Sequence, residues 1–129
     1  MATGKPLIAV VDDDPSIVKS LARLLGSSGY AVKTFGSPIT FLDSFSDESP
    51  QCLVLDVQMP EMTGFELHDQ LAIQGAYVPV IFMTAHATPQ TRARACRNGC
   101  FGLLLKPFDN EALLRAIQKA MHNQPQDPA

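Results

Sequence analysis

The sequence predicts an α/β domain in which five buried strands form a doubly wound parallel sheet with helices on both faces. Short apolar runs rich in Val, Ile and Leu recur along the chain, and segments whose apolar residues follow helical spacing separate them. The runs show no polar alternation, which is typical of strands covered on both faces. Strands that alternate with helices favour a parallel sheet.

The composition is that of a single globular domain. The chain has 129 residues, of which 46% are hydrophobic and 18% charged, and its formal net charge is −3. No basic stripe is visible, so we expect no nucleic-acid binding by this domain. No apolar run could span a membrane, and the N-terminus lacks the apolar core of a signal peptide. Three cysteines, an odd number, indicate reduced thiols and a cytoplasmic location.

The first third of the chain predicts two strands and two helices. The apolar run Leu7–Val11 is a buried strand, and the DDDP sequence that follows it is a strong helix start. Glycines and serines at residues 26–29 end that helix. Residues 30–35 read as a second strand, and the Gly-Ser-Pro sequence at residues 36–38 opens a second helix.

The central strand is the run at residues 52–55, which stops at Asp56. An unpaired carboxylate inside a fully buried strand is too costly. We therefore expect Asp56 at the carboxyl end of the strand, facing a crevice of the kind in which open α/β sheets bind ligands. Pro60 prevents continuation of the strand, and a helix follows at residues 64–74.

The last part of the chain predicts two further strands. Residues 78–83 form a strand that ends at Thr84, and a helix with little apolar content begins at Pro89. Residues 101–105 form the fifth strand, which ends at Lys106. Polar groups thus follow four strands, and the carboxyl ends of parallel strands share one edge of the sheet.

The domain boundaries follow from these elements. Asp109 caps a last helix, and the Pro-containing residues 123–129 read as a tail or the start of a linker. We predict an N-terminal tail at residues 1–6 and one domain at residues 7–122. If the chain is a fragment, a DNA-binding domain could follow it; if it is complete, the output must be another protein.

The residues at the strand ends predict a metal site with phosphoryl chemistry. Asp12, Asp13 and Asp56 would repel one another unless a cation joined them. Hard oxygen ligands without His or Cys favour Mg²⁺, with Mn²⁺ or Ca²⁺ as substitutes, over zinc. Asp56 is the natural nucleophile, because carboxylates form acyl phosphates. Thr84 and Lys106 supply the hydroxyl and ammonium that stabilise a transferring phosphoryl group.

Four motifs together carry a resemblance to a known family. They are the acidic pair after the first strand, Asp56 within LDVQMPEMTG, Thr84 and Ala85 closing VIFMTA, and Lys106-Pro107-Phe108. In this order and at strand ends they resemble the receiver (CheY-like) domain of two-component response regulators, over about residues 7 to 121. The chain is most similar to receivers that precede helix-turn-helix output domains.

The resemblance implies a flavodoxin-like (βα)5 fold with strand order 2-1-3-4-5. It also implies that a sensor histidine kinase or a phosphotransfer protein phosphorylates Asp56. Asp13 and Asp56 would bind Mg²⁺ directly, Asp12 through water, and the main-chain carbonyl of Gln58 would complete the ligands. The domain would be a signalling phosphoacceptor and no enzyme in the usual sense, since it catalyses only its own phosphorylation and dephosphorylation.

Further roles come from the same resemblance. Thr84 would donate a hydrogen bond to the phosphoryl group and Lys106 would pair with it, next to a cis peptide bond before Pro107. The small Ala85 would leave the phosphate accessible, and Gln58 and His86 would tune hydrolysis. A homodimer through the fourth helix, fifth strand and fifth helix is a possible partner interaction.

One position departs from the family pattern. The family usually has Tyr or Phe three residues before the lysine, and its ring swings inward as the threonine moves toward the phosphate. This chain has Leu103, which has neither ring nor hydroxyl. Phe101 lies too far upstream to replace it. This departure affects the expected signalling response and leaves the expected phosphorylation chemistry unchanged. The second hypothesis is therefore a protein-interaction module in which phosphorylation of Asp56 is vestigial or does not change the binding surface.

Several other polar residues have structural interpretations. Asp14 is expected to cap the first helix. His68 and His122 are expected to face solvent, and Cys96 and Cys100 are expected to pack, since two thiols make no zinc site. An exposed helix face, or alternatively a partner-binding surface, is the interpretation for Arg92, Arg94 and Arg97.

Two other classes of protein fit less well. A phosphatase of the haloacid dehalogenase type needs an Asp two residues after its nucleophile, where this chain has Gln58. A flavodoxin is disfavoured because the acidic loop after the first strand would repel the phosphate of a flavin cofactor.

Overall fold

The computed structural model describes residues 4–45 and 49–122, which form five strands and five helices. The strands are β1 (Leu7–Val11), β2 (Ala31–Phe35), β3 (Cys52–Asp56), β4 (Val80–Thr84) and β5 (Gly102–Leu105). The helices are α1 (Pro15–Ser27), α2 (Pro38–Ser44), α3 (Gly64–Ile73), α4 (Pro89–Arg97) and α5 (Asn110–His122). All strand pairs are parallel, and the order is β2-β1-β3-β4-β5. The predicted fold class and strand order are confirmed.

The three central strands are the hydrophobic middle of the molecule. Every residue of β3 and β4 is buried, whereas the edge strands β2 and β5 have no fully buried residue. Three strands, β2, β4 and β5, begin later than the sequence predicts. Pro79 lacks an N–H and precedes β4, and the N–H of Tyr30 donates to the carbonyl of Leu25 at the end of α1.

The helix ends follow local chemistry. Asp14 is the N-cap of α1 and accepts a hydrogen bond from the backbone N–H of Ser16 at 2.9 Å, so its predicted capping role is confirmed. At the end of α4, Gly99 adopts a φ of 70°. Its N–H donates to Cys96 and that of Cys100 to Ala95, so a left-handed glycine turns the chain directly into β5.

The sheet carries a separate hydrophobic core on each face. One core packs the sheet against α2, α3 and α4, through residues such as Phe41, Leu67 and Ala95. The other packs it against α1 and α5, through residues such as Leu25 and Ile117. In the described part of the chain, no helix is both long and apolar enough to cross a bilayer. Residues 1–3 and the tail predicted at residues 123–129 lie outside the described residues.

Candidate functional site

Four strands deliver polar side chains to one edge of the sheet. Asp12 follows β1, Asp56 and Thr84 end β3 and β4, and Lys106 follows β5. Backbone hydrogen bonds extend past the strand ends and fix these positions. The N–H of Asp12 donates to Phe35 at 3.1 Å, and that of Lys106 donates to Thr84 at 2.8 Å.

Three carboxylates form a compact cluster at this edge. One oxygen from each of Asp12, Asp13 and Asp56 lies within 4.8 Å of the others. Asp12 and Asp56 are buried, whereas Asp13 is exposed and opens the cluster to solvent. Hard oxygen donors with one open side suit Mg²⁺, which keeps several of its waters and dehydrates reluctantly.

Lys106 bridges two of these acids. Its Nζ lies 2.9 Å from Oδ2 of Asp12 and 3.1 Å from Oδ1 of Asp56. Burial opposes the charged form of the lysine, but the two carboxylates outweigh it, so the pKa of Lys106 lies above its ordinary value. The ammonium is therefore a fixed positive charge beside Asp56.

Asp56 is the carboxylate of the cluster whose surroundings disfavour its charged form. Burial is the main cause that raises the pKa of its carboxyl group, and the neighbouring charge of Asp12 adds to it. Lys106 opposes both effects without cancelling them. A bound cation would relieve the repulsion, so the charge distribution fits the metal that the sequence predicts.

Thr84 is fully buried at the end of β4, and its hydroxyl is occupied by the loop that leads to α4. Oγ1 accepts a hydrogen bond from the N–H of His86 at 3.0 Å and donates to the carbonyl of the same residue at 3.2 Å. The side chain of His86 is exposed. The threonine thus connects the carboxylate edge to the start of the next helix.

The loop after Asp56 folds back tightly on the strand. The N–H of Gly64 donates to the carbonyl of Val57 at 2.9 Å. A Cβ at Gly64 would lie 2.4 Å from the backbone oxygen of Asp56, so no side chain fits there. Gln58 lies exposed within this loop, and the Lys106-Pro107 peptide bond across the site is cis, as the resemblance implies.

Leu103, the position that departs from the family pattern, is half-buried. It pairs with Phe82 across β4 and β5 and packs against the core that contains α4. Phe101 precedes β5, which begins at Gly102, one residue later than predicted.

Three predictions about side-chain surroundings are wrong, and all concern residues of α3 or α4. His68 is half-buried and accepts a hydrogen bond from Asn98, although the sequence suggested that it faces solvent. Arg94 is paired with Asp69 and is not part of an exposed arginine face. Cys96 is exposed, whereas Cys100 packs as predicted.

The helical spacing of apolar residues in α3 could have predicted that His68 is partly buried. It lies three residues after Phe65 and three before Leu71, and both of these are buried on α3. A polar side chain in the middle of an apolar stripe requires a partner. The partner is Asn98, the C-cap residue of α4, and the sequence alone gives no distance between this residue and α3.

Comparisons with known proteins show the family to which the chain belongs. The model of the response regulator receiver domain family matches residues 8–118. The response regulator protein TmoT of Ectopseudomonas mendocina is 38% identical over 126 residues, which are 98% of this chain and 57% of TmoT. The transcriptional regulatory protein FixJ of Azorhizobium caulinodans is 39% identical over 114 residues, which are 88% of this chain and 54% of FixJ.

A solved structure of a response regulator is also similar to this chain. The response regulator StyR superposes with a TM-score of 0.85 at 42% identity, over 92% of this chain and 60% of that one. The chain spans about half the length of the curated relatives described above. The resemblance carried by the four motifs is confirmed, and the chain belongs to the receiver domain family of two-component response regulators.

Proposed function

We propose that this domain is a phosphoacceptor switch in which Asp56 receives a phosphoryl group from a sensor histidine kinase or a phosphotransfer protein. The observation that carries the proposal is the cluster of three carboxylates within 4.8 Å, with the ammonium of Lys106 held against two of them. Such a set of acids and one fixed cation is suited to phosphoryl transfer, in which charge stabilisation is the main task.

The carboxylates of Asp13 and Asp56 would hold Mg²⁺ directly, Asp12 would hold it through water, and Gln58 would add its main-chain carbonyl. When bound, the ion neutralises charge on the phosphoryl oxygens. An oxygen of Asp56 attacks phosphorus as the phosphorus–nitrogen bond of the donor breaks, and the imidazole leaves with the bonding electrons. The product is an acyl phosphate on Asp56.

Two further side chains act on the transferred group. Lys106 already lies 3.1 Å from Asp56 and would move its hydrogen bonds to a phosphoryl oxygen. The hydroxyl of Thr84 would donate to another such oxygen. Ala85 is small and exposed beside the site, and Gln58 and His86 are exposed near its rim, where they would influence the access of hydrolytic water.

The wider assignment extends the same proposal. Residues 7–122 would form the receiver, and it would act in the cytoplasm without turning over a separate substrate. Phosphorylation would change partner or dimer contacts on the face of α4, β5 and α5. Leu105, on β5, is 51% exposed and gives this face an apolar centre. Three relatives, TdiR and the FixJ proteins of two organisms, are named as transcriptional regulatory proteins, so an output on gene expression is proposed for the whole protein.

Mass spectrometry after incubation with acetyl phosphate and Mg²⁺ tests the proposal. We expect wild type to gain the mass of one phosphoryl group, and Asp56→Ala to gain none. Chelation of the metal with EDTA should suppress the gain. Asp14→Asn is the matched control, because it removes a neighbouring carboxylate but keeps an equally good helix cap. Equal labelling of wild type and Asp56→Ala contradicts the proposal.

A second candidate function, an interaction module whose phosphosite is uncoupled, is favoured by Leu103, which has no aromatic ring to move. Size-exclusion chromatography with light scattering, with and without the phosphate mimic beryllofluoride, separates the two candidates. A change in oligomeric state or in partner affinity on beryllofluoride binding supports the switch. Identical behaviour in both states supports the uncoupled module.

A further inference from the structure

A polar network joins α3 to α4 on the side of the sheet that carries Thr84. We call it the α3–α4 clasp, and its members are the side chains of His68, Asp69, Arg94 and Asn98. Asn98 is its centre. Nδ2 of Asn98 lies 2.9 Å from Nδ1 of His68 and 3.1 Å from Oδ1 of Asp69. Arg94 pairs with Asp69 and also donates from Nε to Oδ1 of Asn98 at 3.0 Å.

The clasp has a single consistent arrangement of donors and acceptors. Because Oδ1 of Asn98 accepts from Arg94, its amide nitrogen is the group that faces Asp69 and His68, and it donates to both. Nδ1 of His68 must then be an unprotonated acceptor. A network in which each member specifies its neighbour favours one relative position of the two helices.

The clasp lies on aromatic side chains that lead to the site. The guanidinium of Arg94 lies 5.2 Å from the ring centroid of Phe65, and the ring of His68 lies 5.9 Å from that of Phe82. Phe65 and Phe82 also contact each other edge to face, with their centroids 4.6 Å apart. Phe82 pairs with Leu103 and lies two residues before Thr84, on the same face of β4.

α4 depends on this network because it has little else to hold it. Ala95 is its only buried residue, and an alanine side chain gains little from burial. At its N-terminal end, the preceding loop is held by the two hydrogen bonds between Thr84 and His86. At its C-terminal end, the clasp holds Arg94 and Asn98. The helix is therefore fixed at two points, one of which belongs to the candidate site.

We propose that the α3–α4 clasp sets the equilibrium between the present position of α4 and a displaced position that α4 adopts when Asp56 is phosphorylated. The inference rests on the proposed function. The hydroxyl of Thr84 has one proton, and it cannot donate fully to His86 and to a phosphoryl oxygen at once. Donation to the phosphoryl group weakens the N-terminal hold on α4, and the clasp then determines how far the helix moves.

The test compares clasp variants by NMR of backbone amides in α4 and β5, with and without beryllofluoride. We expect Asn98→Ala, without the mimic, to shift these resonances part of the way toward those of the wild-type complex with beryllofluoride. By linkage, the same variant should bind beryllofluoride about fivefold more tightly, because water replaces most of the value of the three lost bonds and the unliganded position loses about one net hydrogen bond. His68→Gln, which keeps an acceptor for Asn98, should lie closer to wild type than His68→Ala.

The controls separate coupling from general destabilisation. Arg115→Ala removes an exposed ion pair with Glu111 on α5 and should change neither the α4 resonances nor the affinity. Asp69→Asn is a milder variant that serves if Asn98→Ala does not fold. Clasp variants that keep wild-type resonances and affinity overturn this inference alone. A wild type that binds neither phosphoryl nor beryllofluoride overturns the proposed function together with it.

Discussion

Helices α4 and α5 lie on opposite faces of the same sheet and are held there by different forces. α5 buries four side chains, namely Leu113, Ala116, Ile117 and Ala120. α4 buries Ala95 alone and relies on the α3–α4 clasp and on the loop bonded to Thr84. Both helices adjoin the strand ends that carry the candidate site, yet only α4 is connected to it by hydrogen bonds that another acceptor can replace.

The difference shows which part of the domain is suited to move. Apolar burial is non-directional, and it is lost only when a side chain returns to water. Hydrogen bonds and ion pairs depend on orientation, so a small rotation exchanges one partner for another. We therefore expect α5 to remain fixed on the sheet, and α4 to be the element whose position responds to a change at Asp56.

The largest effect is expected from truncation in α5. Ile117→Ala should lower the free energy of unfolding by about 2–5 kcal/mol, because it removes a fully buried side chain and leaves a cavity. Ala95→Gly, the comparable change in α4, should cost only about 1 kcal/mol through helix propensity. Urea denaturation followed by circular dichroism measures both. Equal losses would contradict the contrast between the two helices.

A smaller effect is expected from loss of the clasp. Asn98→Ala removes three side-chain hydrogen bonds, yet it should cost only about 1 kcal/mol in the free energy of unfolding, because water can reach the half-buried partners that it leaves. The same urea titration gives the value, with Arg115→Ala as a near-neutral reference. A loss as large as that of Ile117→Ala would show that α4 is anchored as firmly as α5.

The clasp should also respond to pH. Burial is the main cause that lowers the pKa of His68 below its ordinary value of 6.5, although the charge of Asp69 opposes the shift. The unfolded chain therefore takes up this proton first as the pH falls. The contribution of His68 to the free energy of unfolding should be constant above about pH 6.5. Below that pH it should decline until the pH reaches the lower pKa that His68 has in the folded protein.

Unfolding free energies measured from pH 8 to 5 test this prediction. His68→Gln should flatten the decline, because it removes the titrating group. His122→Gln, at the exposed end of α5, should leave the slope unchanged. A wild-type slope that persists in His68→Gln would assign the pH dependence to another group.

The smallest expected effect is a change in the rate at which cysteine thiols are labelled. Burial raises the pKa of Cys52 to about 12, and burial also raises that of Cys100. Iodoacetamide should therefore modify the exposed Cys96 first, Cys100 more slowly, and Cys52 only after unfolding. Because Cys100 lies three residues after the end of α4, Asn98→Ala should speed its labelling while Cys52 stays protected. Peptide mass mapping over time resolves the three sites.

The sequence was sufficient for the sheet because its strands are uniformly apolar and end abruptly at polar residues. Asp12, Asp56, Thr84 and Lys106 were assigned to one edge from the geometry of parallel strands, and they lie there. The role of Asp14 as a cap also followed from its position before Pro15. These are local or topological consequences, and they do not require knowledge of side-chain packing.

The contacts of α4 could not be predicted in this way. The clasp joins residues of two helices that are 25 to 30 positions apart, and its existence depends on the distance and rotation between those helices. Hydrophobic periodicity gives such information only for helices with a broad apolar stripe. α4 has one buried alanine, so its orientation depends on polar contacts with residues that are distant in the sequence.

The charges of Lys106 and the three carboxylates bear on the order in which a metal ion and a phosphorylated donor would bind at the sheet edge. In formal charge, three carboxylates and one lysine leave a surplus of two negative charges, which repels a phosphorylated donor. A divalent cation at the proposed site would cancel that surplus and leave the edge formally neutral toward an incoming anion. If the proposed function is correct, metal binding should therefore precede docking of the donor, and phosphorylation should depend on the magnesium concentration.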